Sequence, residues 1–425
     1  MGVFTRATAS RSRTRTATLS GLAFLGASAL VLTGCASPGG SEGGDNEKPA
    51  GDLTLKVGTQ LPQTGNLAFL GPPEEAGVGL AAKEINEADL GIEIDVEYGD
   101  SGDTDNKAYA TEVPRLLQAG VSAIVGAASS GVSKLFIDEV TGAGVIHFSP
   151  ANTSADFTTW DDNGLFWRTA PSDVLQGEVL GNLIAEDGKE TLGILYLNDS
   201  YGTGLAKFTG EAFEAAGGEV VEEQSYNTGD TSFDAQISAL KAANPDAIAL
   251  IAFEETKTIV PALAGYPSEN LYFVDGNLAD YSADFPAGTL TGAKGTLPGL
   301  DTAKLGDFTD RLQTFWQDEG NPELKDYSYA AESYDAVVLL ALAAMAAGST
   351  DGADIADKLQ EVSGGAGDGE KCETFEDCAA LINDGKTADY DGNSGPITFD
   401  ENGDPTEATI GVYQYNEENK YDRIN

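Results

Sequence analysis

The chain has 425 residues, too long for one ordinary core and long enough for two domains of typical size. It carries 24 Lys+Arg against 69 Asp+Glu, a formal net charge of -45, and such a field excludes nucleic acid and anionic lipid surfaces as partners. Three cysteines and one histidine leave too few ligands for a cysteine–histidine metal site, and no cofactor is expected.

At the start, Arg6, Arg11, Arg13 and Arg15 form a basic region. The apolar run "LSGLAFLGASALVL" that follows is too short to span a bilayer comfortably, and "LTGC" ends at Cys35. This resembles a bacterial lipoprotein signal. It implies a signal peptide over 1–34, lipidation of Cys35, and a mature charge of -49 once the four arginines are gone from -45. The small, polar "ASPGGSEGGDNEKPAGD" reads as a flexible tether, 35–52. Among later segments, "AVVLLALAAMAAG" is long enough only for a buried helix, so the membrane is touched through the lipid alone, at the outer face of the cell membrane.

The body opens with the β-rich "LTLKVGTQLP", the turn "QTGN" and the helical "PEEAGVGLAAKEINEA". Next come a strand in "IEIDVEYGD", a helix in "KAYATEVPRLLQAG", a strand in "VSAIVGAAS", a helix in "KLFIDEVTGAG" and a strand in "VIHFSPA". After "RTAPSD" the same rhythm restarts and runs to "DAIALIAF" and "NLYFVDG". Strands alternating with helices of this length predict βαβ units on parallel sheets, and the repetition predicts two similar α/β lobes. Later pieces depart from the rhythm: helices in "TDRLQTFWQDEG" and "YAAESYDAVVLLALAAMAAG", a cysteine pair, and the β-rich "GPITFD" and "ATIGVYQYN". In an exported chain Cys372 and Cys378 are expected to close a small disulfide loop.

Several chemistries were weighed on the residues. Ser129, Asp138 and His147 stand in the chain order of an α/β-hydrolase triad. However, Gly126 lies three residues before the serine rather than two, and the three fall too close together for separate loops. His147 reads as a packed histidine, and no enzyme is expected. Neither a Walker lysine nor the three-glycine dinucleotide pattern is present. Serine hydroxyls and backbone N–H groups in "AIVGAASSGVSK" can still hold a small anion such as a carboxylate. The aspartate-rich "DSGDTDN" and "DENGDP" lack EF-hand spacing and read as capping and turn residues. Phe69, Tyr201 and Phe253 each follow the end of a strand, where ligands bind in open α/β sheets.

Together, "GTQLPQTGNLAFLG", "AAKEIN", "YGDSGDTDNKAYA", "IVGAASSGV", "VIHFSPANTSADF", "FWRTAPSD", "NDSYGTGLA", "YFVDGN" and "YDGNSGPITFDENGD" resemble, in order and spacing, the substrate-binding lipoproteins of ABC importers in the branched-chain amino acid family, in its actinobacterial branch. The resemblance implies a type I periplasmic binding fold, a Venus-flytrap of two doubly wound α/β lobes with parallel-rich sheets joined by three crossovers. The expected N-terminal lobe is 53–169 plus 294–386, and the C-terminal lobe 170–293 plus 387–425. It also implies that Ser129, Ser130, the Ala151 backbone and Thr153 hold a ligand carboxylate. Tyr201 and Asp275, with Asn277 as the alternative acid position, would hold its ammonium, and Phe69, Leu70 and Phe253 would meet its side chain. The expected function is delivery of an amino acid, a branched-chain one first, to ABC permease subunits by a monomer. The alternatives are urea, an amide or a small aromatic acid as ligand, or a ligand-sensing receptor.

Overall fold

The computed structural model describes residues 52–301, 304–367 and 369–425. The signal peptide, Cys35 and nearly all of the tether lie outside the described residues.

The first sheet is made of β1 (Leu53–Gln60), β2 (Ile92–Glu97), β3 (Ala123–Gly126), β4 (Ile146–Ser149) and β5 (Phe166–Arg168). Its order is β2-β1-β3-β4-β5 with every pair parallel. Strands such as "AIVG" and "IHFS" are buried at every position, as a parallel sheet covered on both faces requires. The crossovers within it are α1 (Gly71–Ala88), α2 (Tyr109–Ala119) and the short α3 (Ser130–Ser133) and α4 (Ile137–Gly142).

The second sheet begins with α5 (Asp173–Glu186) and then runs β6 (Thr191–Leu197), α6 (Ser200–Ala215), β7 (Glu219–Tyr226), α7 (Asp234–Ala243), β8 (Ala247–Ile251), α8 (Thr256–Ala262), β9 (Leu271–Phe273) and β10 (Lys294–Pro298). The order β7-β6-β8-β9-β10 repeats the topology of the first sheet, again all parallel. The chain then returns to the first lobe through α9 (Gly306–Asp318), α10 (Ala330–Ala347), α11 (Gly352–Val362), β11 (Glu370–Cys372), α12 (Phe375–Asn383), β12 (Ala388–Gly392) and β13 (Gly395–Pro396). It ends with β14 (Ile410–Tyr415) and β15 (Tyr421–Arg423), which extend the second sheet antiparallel beyond β10.

Two expected lobe boundaries fall elsewhere. Segment 294–298 is β10, hydrogen-bonded to β9 and β14 with Leu297 in the second core, so the return crossover starts at Gly299. Residues beyond 386 stay with the first lobe: Ala388, Tyr390, Ile397 and Phe399 are buried in its core, and only at β14 does the chain rejoin the second sheet. The crossovers are therefore 169–172, the segment from Gly299 to α9, and 407–409, since Phe399 bridges Pro405 and Thr406 N donates to Thr398 O at 2.8 Å in a hairpin of the first lobe.

Helix α10 is apolar enough to cross a membrane by length and composition, but it is buried against α1 in the first core. Cys372 at the end of β11 and Cys378 in α12 form a disulfide, with Cα atoms 5.4 Å apart. His147 is fully buried, stacked on Phe136 at 4.8 Å and edge-on to Phe166 at 5.1 Å. Desolvation lowers its pKa to about 3, and Asp138 instead accepts from Trp160 Nε1 at 2.9 Å, so no triad forms.

Candidate functional site

In a sheet ordered 2-1-3-4-5 the strand direction of growth reverses between the first and third strands, leaving a crevice at their carboxyl ends. Both lobes present that crevice to each other. Loops after β1, β3 and β4 face loops after β6, β8 and β9 across one narrow cavity.

The loop after β1 is shaped by the aspartate turn that follows β2. Asp100 Oδ1 accepts from Gln63 N and Thr64 N, each at 3.1 Å, and Oδ2 from Thr64 Oγ1 at 2.6 Å. Asp103 Oδ2 accepts from Asn66 N at 3.2 Å. These contacts account for "DSGDTDN" and hold Leu67 and Leu70 in the cavity wall.

After β3, Ser129 caps α3 by accepting from Val132 N at 3.3 Å, and Ser130 Oγ accepts from Ser154 N at 3.2 Å. With those lone pairs occupied by N–H donors, each hydroxyl keeps its own proton to donate. After β4, Asn152 Nδ2 donates to Ala127 O at 2.9 Å and Ala128 O at 3.0 Å, joining the two loops. Ala151 N donates to Ser149 Oγ at 3.2 Å, and the buried Thr153 hydroxyl lies against the Asp173 carboxyl.

The opposite wall comes from the second lobe. Tyr201, in the first turn of α6, stacks on Phe253 with centroids 5.3 Å apart and planes 18° from parallel. A Cβ on Gly276 would lie 2.7 Å from the Phe253 ring, so that approach requires glycine. Asp275 is buried, and both of its oxygens are engaged: Oδ1 by Tyr201 Oη at 2.7 Å and Gln176 Nε2 at 3.0 Å, Oδ2 by Tyr329 Oη at 2.7 Å. Burial raises its pKa, while Tyr201, Tyr329, Gln176 and the Gly276 N–H oppose the rise. Nearby Asp173 is fully buried, and desolvation followed by the Asp275 charge pushes its pKa well up, with Thr153 and Arg168 opposing the rise. The site is therefore electronegative at one end and lined by hydroxyl donors at the other.

Eight of the nine expected ligand residues line this cavity: Leu70, Ser129, Ser130, Ala151, Thr153, Tyr201, Phe253 and Asp275. Phe69 lines an adjoining cavity of about 490 Å3 that shares Phe253 with it. Asn277 is taken up locally, donating to Leu250 O at 2.9 Å and Thr256 Oγ1 at 3.0 Å, and stays out of the cavity wall. Sequence reasoning missed Leu67, Tyr329 and Gln176. Leu67 lay within the quoted first turn, whereas Tyr329 and Gln176 sit in or beside helices with no local sign of their partner.

The lobes also touch beside the cavity. Asn66 Nδ2 donates to Glu255 Oε1 at 3.2 Å, Glu254 N to Asn66 O at 3.3 Å, and Ser154 Oγ to Ser200 O at 3.3 Å. Glu255 also accepts from Phe253 N at 3.2 Å, so this acid has an interlobe role that needs no ligand. A larger open groove of about 1030 Å3 runs along α6 and β7 and contains none of the expected residues.

Comparison with known proteins gives the same picture. The family model described as periplasmic binding protein matches residues 54–420. The chain is 27% identical over 385 residues to the leucine-, isoleucine-, valine-, threonine- and alanine-binding protein of Pseudomonas aeruginosa, covering 86% of this chain and 91% of that one. Its fold is similar to the branched-chain amino acid transporter substrate-binding protein of Streptococcus pneumoniae, solved with isoleucine, at TM-score 0.69 and 24% identity over 87% of this chain and 99% of that one. It is also similar to an ABC transporter solute-binding protein of R. palustris solved with benzoate, at TM-score 0.66 and 19% identity, covering 87% and 95%.

Proposed function

The chain belongs to the periplasmic binding protein family, and from that premise we propose that it is the solute-binding component of an ABC importer, taking an amino acid, a branched-chain one first, in the interlobe cavity. It is a binding protein and not an enzyme, and the family acts outside the cytoplasm.

One observation carries the ligand class. A small cavity opposes Asp275, held by three donors, to three hydroxyls at Ser129, Ser130 and Thr153. A zwitterion complements both ends: its ammonium meets the carboxylate and the Tyr201 ring, and its carboxylate takes the hydroxyl protons. The Ala151 N–H, now on Ser149, can turn to the same carboxylate. Leu67, Leu70 and Phe253 supply an apolar wall for its side chain. Because each lobe grips one end, ligand binding favours the closed arrangement.

We place the protein on the outer face of the cell membrane through lipid on Cys35, as a monomer that hands its ligand to permease subunits. The second reading, a small aromatic acid, is supported by the stacked Tyr201–Phe253 wall. Such a ligand brings no ammonium and leaves Asp275 uncompensated, which ranks it below the amino acid.

A thermal-shift panel of leucine, isoleucine, valine, other amino acids, benzoate, acetamide and urea tests the reading. A ligand at a hundred times its Kd adds about 2.7 kcal/mol, a clear rise in melting temperature. Stabilisation by benzoate or the amides alone refutes the amino-acid reading.

A further inference from the structure

Arg168 ends β5 and is completely buried, with all five N–H groups of its guanidinium placed. Nε donates to Asp404 Oδ1 at 2.6 Å and Nη2 to Asp404 Oδ2 at 2.9 Å, a two-point pair. Nη2 also donates to Thr158 Oγ1 at 3.1 Å, and that hydroxyl donates on to Asp404 Oδ2 at 2.6 Å. Nη1 donates to Ser154 O at 2.8 Å and Asn152 O at 3.2 Å.

Those last two carbonyls flank Thr153. With both turned to Arg168, the backbone of the 151–154 turn is fixed on its far side, while Ala151 and Thr153 line the cavity. The partner's place in the chain adds a second consequence. Arg168 stands at the start of the 169–172 crossover, and Asp404 lies 236 residues away in the 399–406 hairpin of the same lobe, just ahead of the 407–409 crossover. One ion pair therefore ties a wall of the cavity to the start of one interlobe connection and to the hairpin that leads into another.

We propose that Arg168, clamped by Asp404, is a positioning residue for ligand binding: it holds the 151–154 turn in its binding shape. The affinity part rests on the function proposed above. A lysine cannot reproduce the arrangement, because one ammonium cannot give a two-point contact to a carboxylate and also reach two carbonyls.

The test compares Asp404→Asn, Asp404→Glu, Arg168→Lys and the milder Thr158→Val with Leu312→Ala, a control that removes buried core from α9 in the same lobe. Leucine affinity is measured by calorimetry, and amide hydrogen exchange at residues 151–154 is measured without ligand. Asp404→Asn and Arg168→Lys should each weaken leucine binding about tenfold or more, since small misplacements of binding groups are costly. Exchange across 151–154 should quicken in both, with a smaller change in Thr158→Val and partial recovery in Asp404→Glu. Leu312→Ala should lower stability but leave affinity and those amides as in the wild type. Exchange at 151–154 no faster than in the control overturns the proposal. Should the wild type bind no amino acid, the functional reading fails, and the exchange data still decide whether Arg168 holds the turn.

Discussion

Tyr329 donates its hydroxyl to Asp275 Oδ2 at 2.7 Å, joining the residue that precedes α10 to the loop after β9 across the lobe boundary. Tyr329 holds a left-handed backbone, φ 59°, uncommon for a bulky residue, and burial together with the Asp275 charge raises its pKa, so it stays a phenol and a donor. Asp275→Ala should weaken binding of amino acids about tenfold or more without weakening ligands that lack an ammonium. Tyr329→Phe should cost less, because Tyr201 and Gln176 remain on the carboxylate. Calorimetry with leucine and with its deaminated carboxylic acid separates the two cases.

At the other end, Ser130→Ala removes a hydroxyl and the acceptor for Ser154 N together. Leucine affinity should fall about tenfold, close to the loss of one hydrogen bond to a charged group. Ser129→Ala should lose less, since its principal contact is the cap of a single-turn helix. Unchanged affinity in both variants would move the carboxylate site elsewhere.

Buried acids set the pH dependence of stability. Glu332, beside Asp335, has its pKa raised by desolvation to about 8, and Glu74, buried without hydrogen bonds, is raised in the same direction. An acid with a raised pKa binds its proton more tightly when folded, so its contribution is present at low pH and lost as pH rises through the folded value. His147 opposes this only below its ordinary 6.5, because its folded pKa is lowered. Between about pH 6.5 and 8 the acids act alone, and the melting temperature should rise as pH falls. Glu332→Gln should flatten that slope. Asp199, raised to about 6 by desolvation with Glu255 adding and Lys134 opposing, extends the acid effect below that window.

The disulfide closes a small loop away from the cavity, and its loop-closure contribution is about 2 kcal/mol. Replacing Cys372 and Cys378 together by serine should lower the melting temperature by about 3 °C without altering leucine affinity. A change in affinity would show that the loop communicates with the site.

Cys35→Ser should release the protein from the membrane fraction into the soluble one. Retention of that variant with membranes would exclude the lipid anchor.

Much of the architecture was readable because its signals are local. Buried strands such as "AIALI" and the turns that follow strands identify the βαβ rhythm and its repetition. Residues just past a strand end are placed by the strand itself, which makes Tyr201 and Phe253 legible from position, while Ser130 and Asp275 follow from the family resemblance; all of them share one cavity. Strand β10 went unread because "KGTLP" is short and carries a lysine, a glycine and a proline. Its identity comes from its two neighbours in the sheet.

By itself, then, the sequence determined the fold class, the two-lobed plan and most of one cavity wall, since hydrophobic period, turn residues and strand ends act over a few residues. The tertiary structure alone decided where the crossovers fall and which groups surround Asp275 and Arg168. Those depend on partners as far as 236 residues away, and a buried charge is stabilised or left exposed to its desolvation cost only by what the folded chain brings against it.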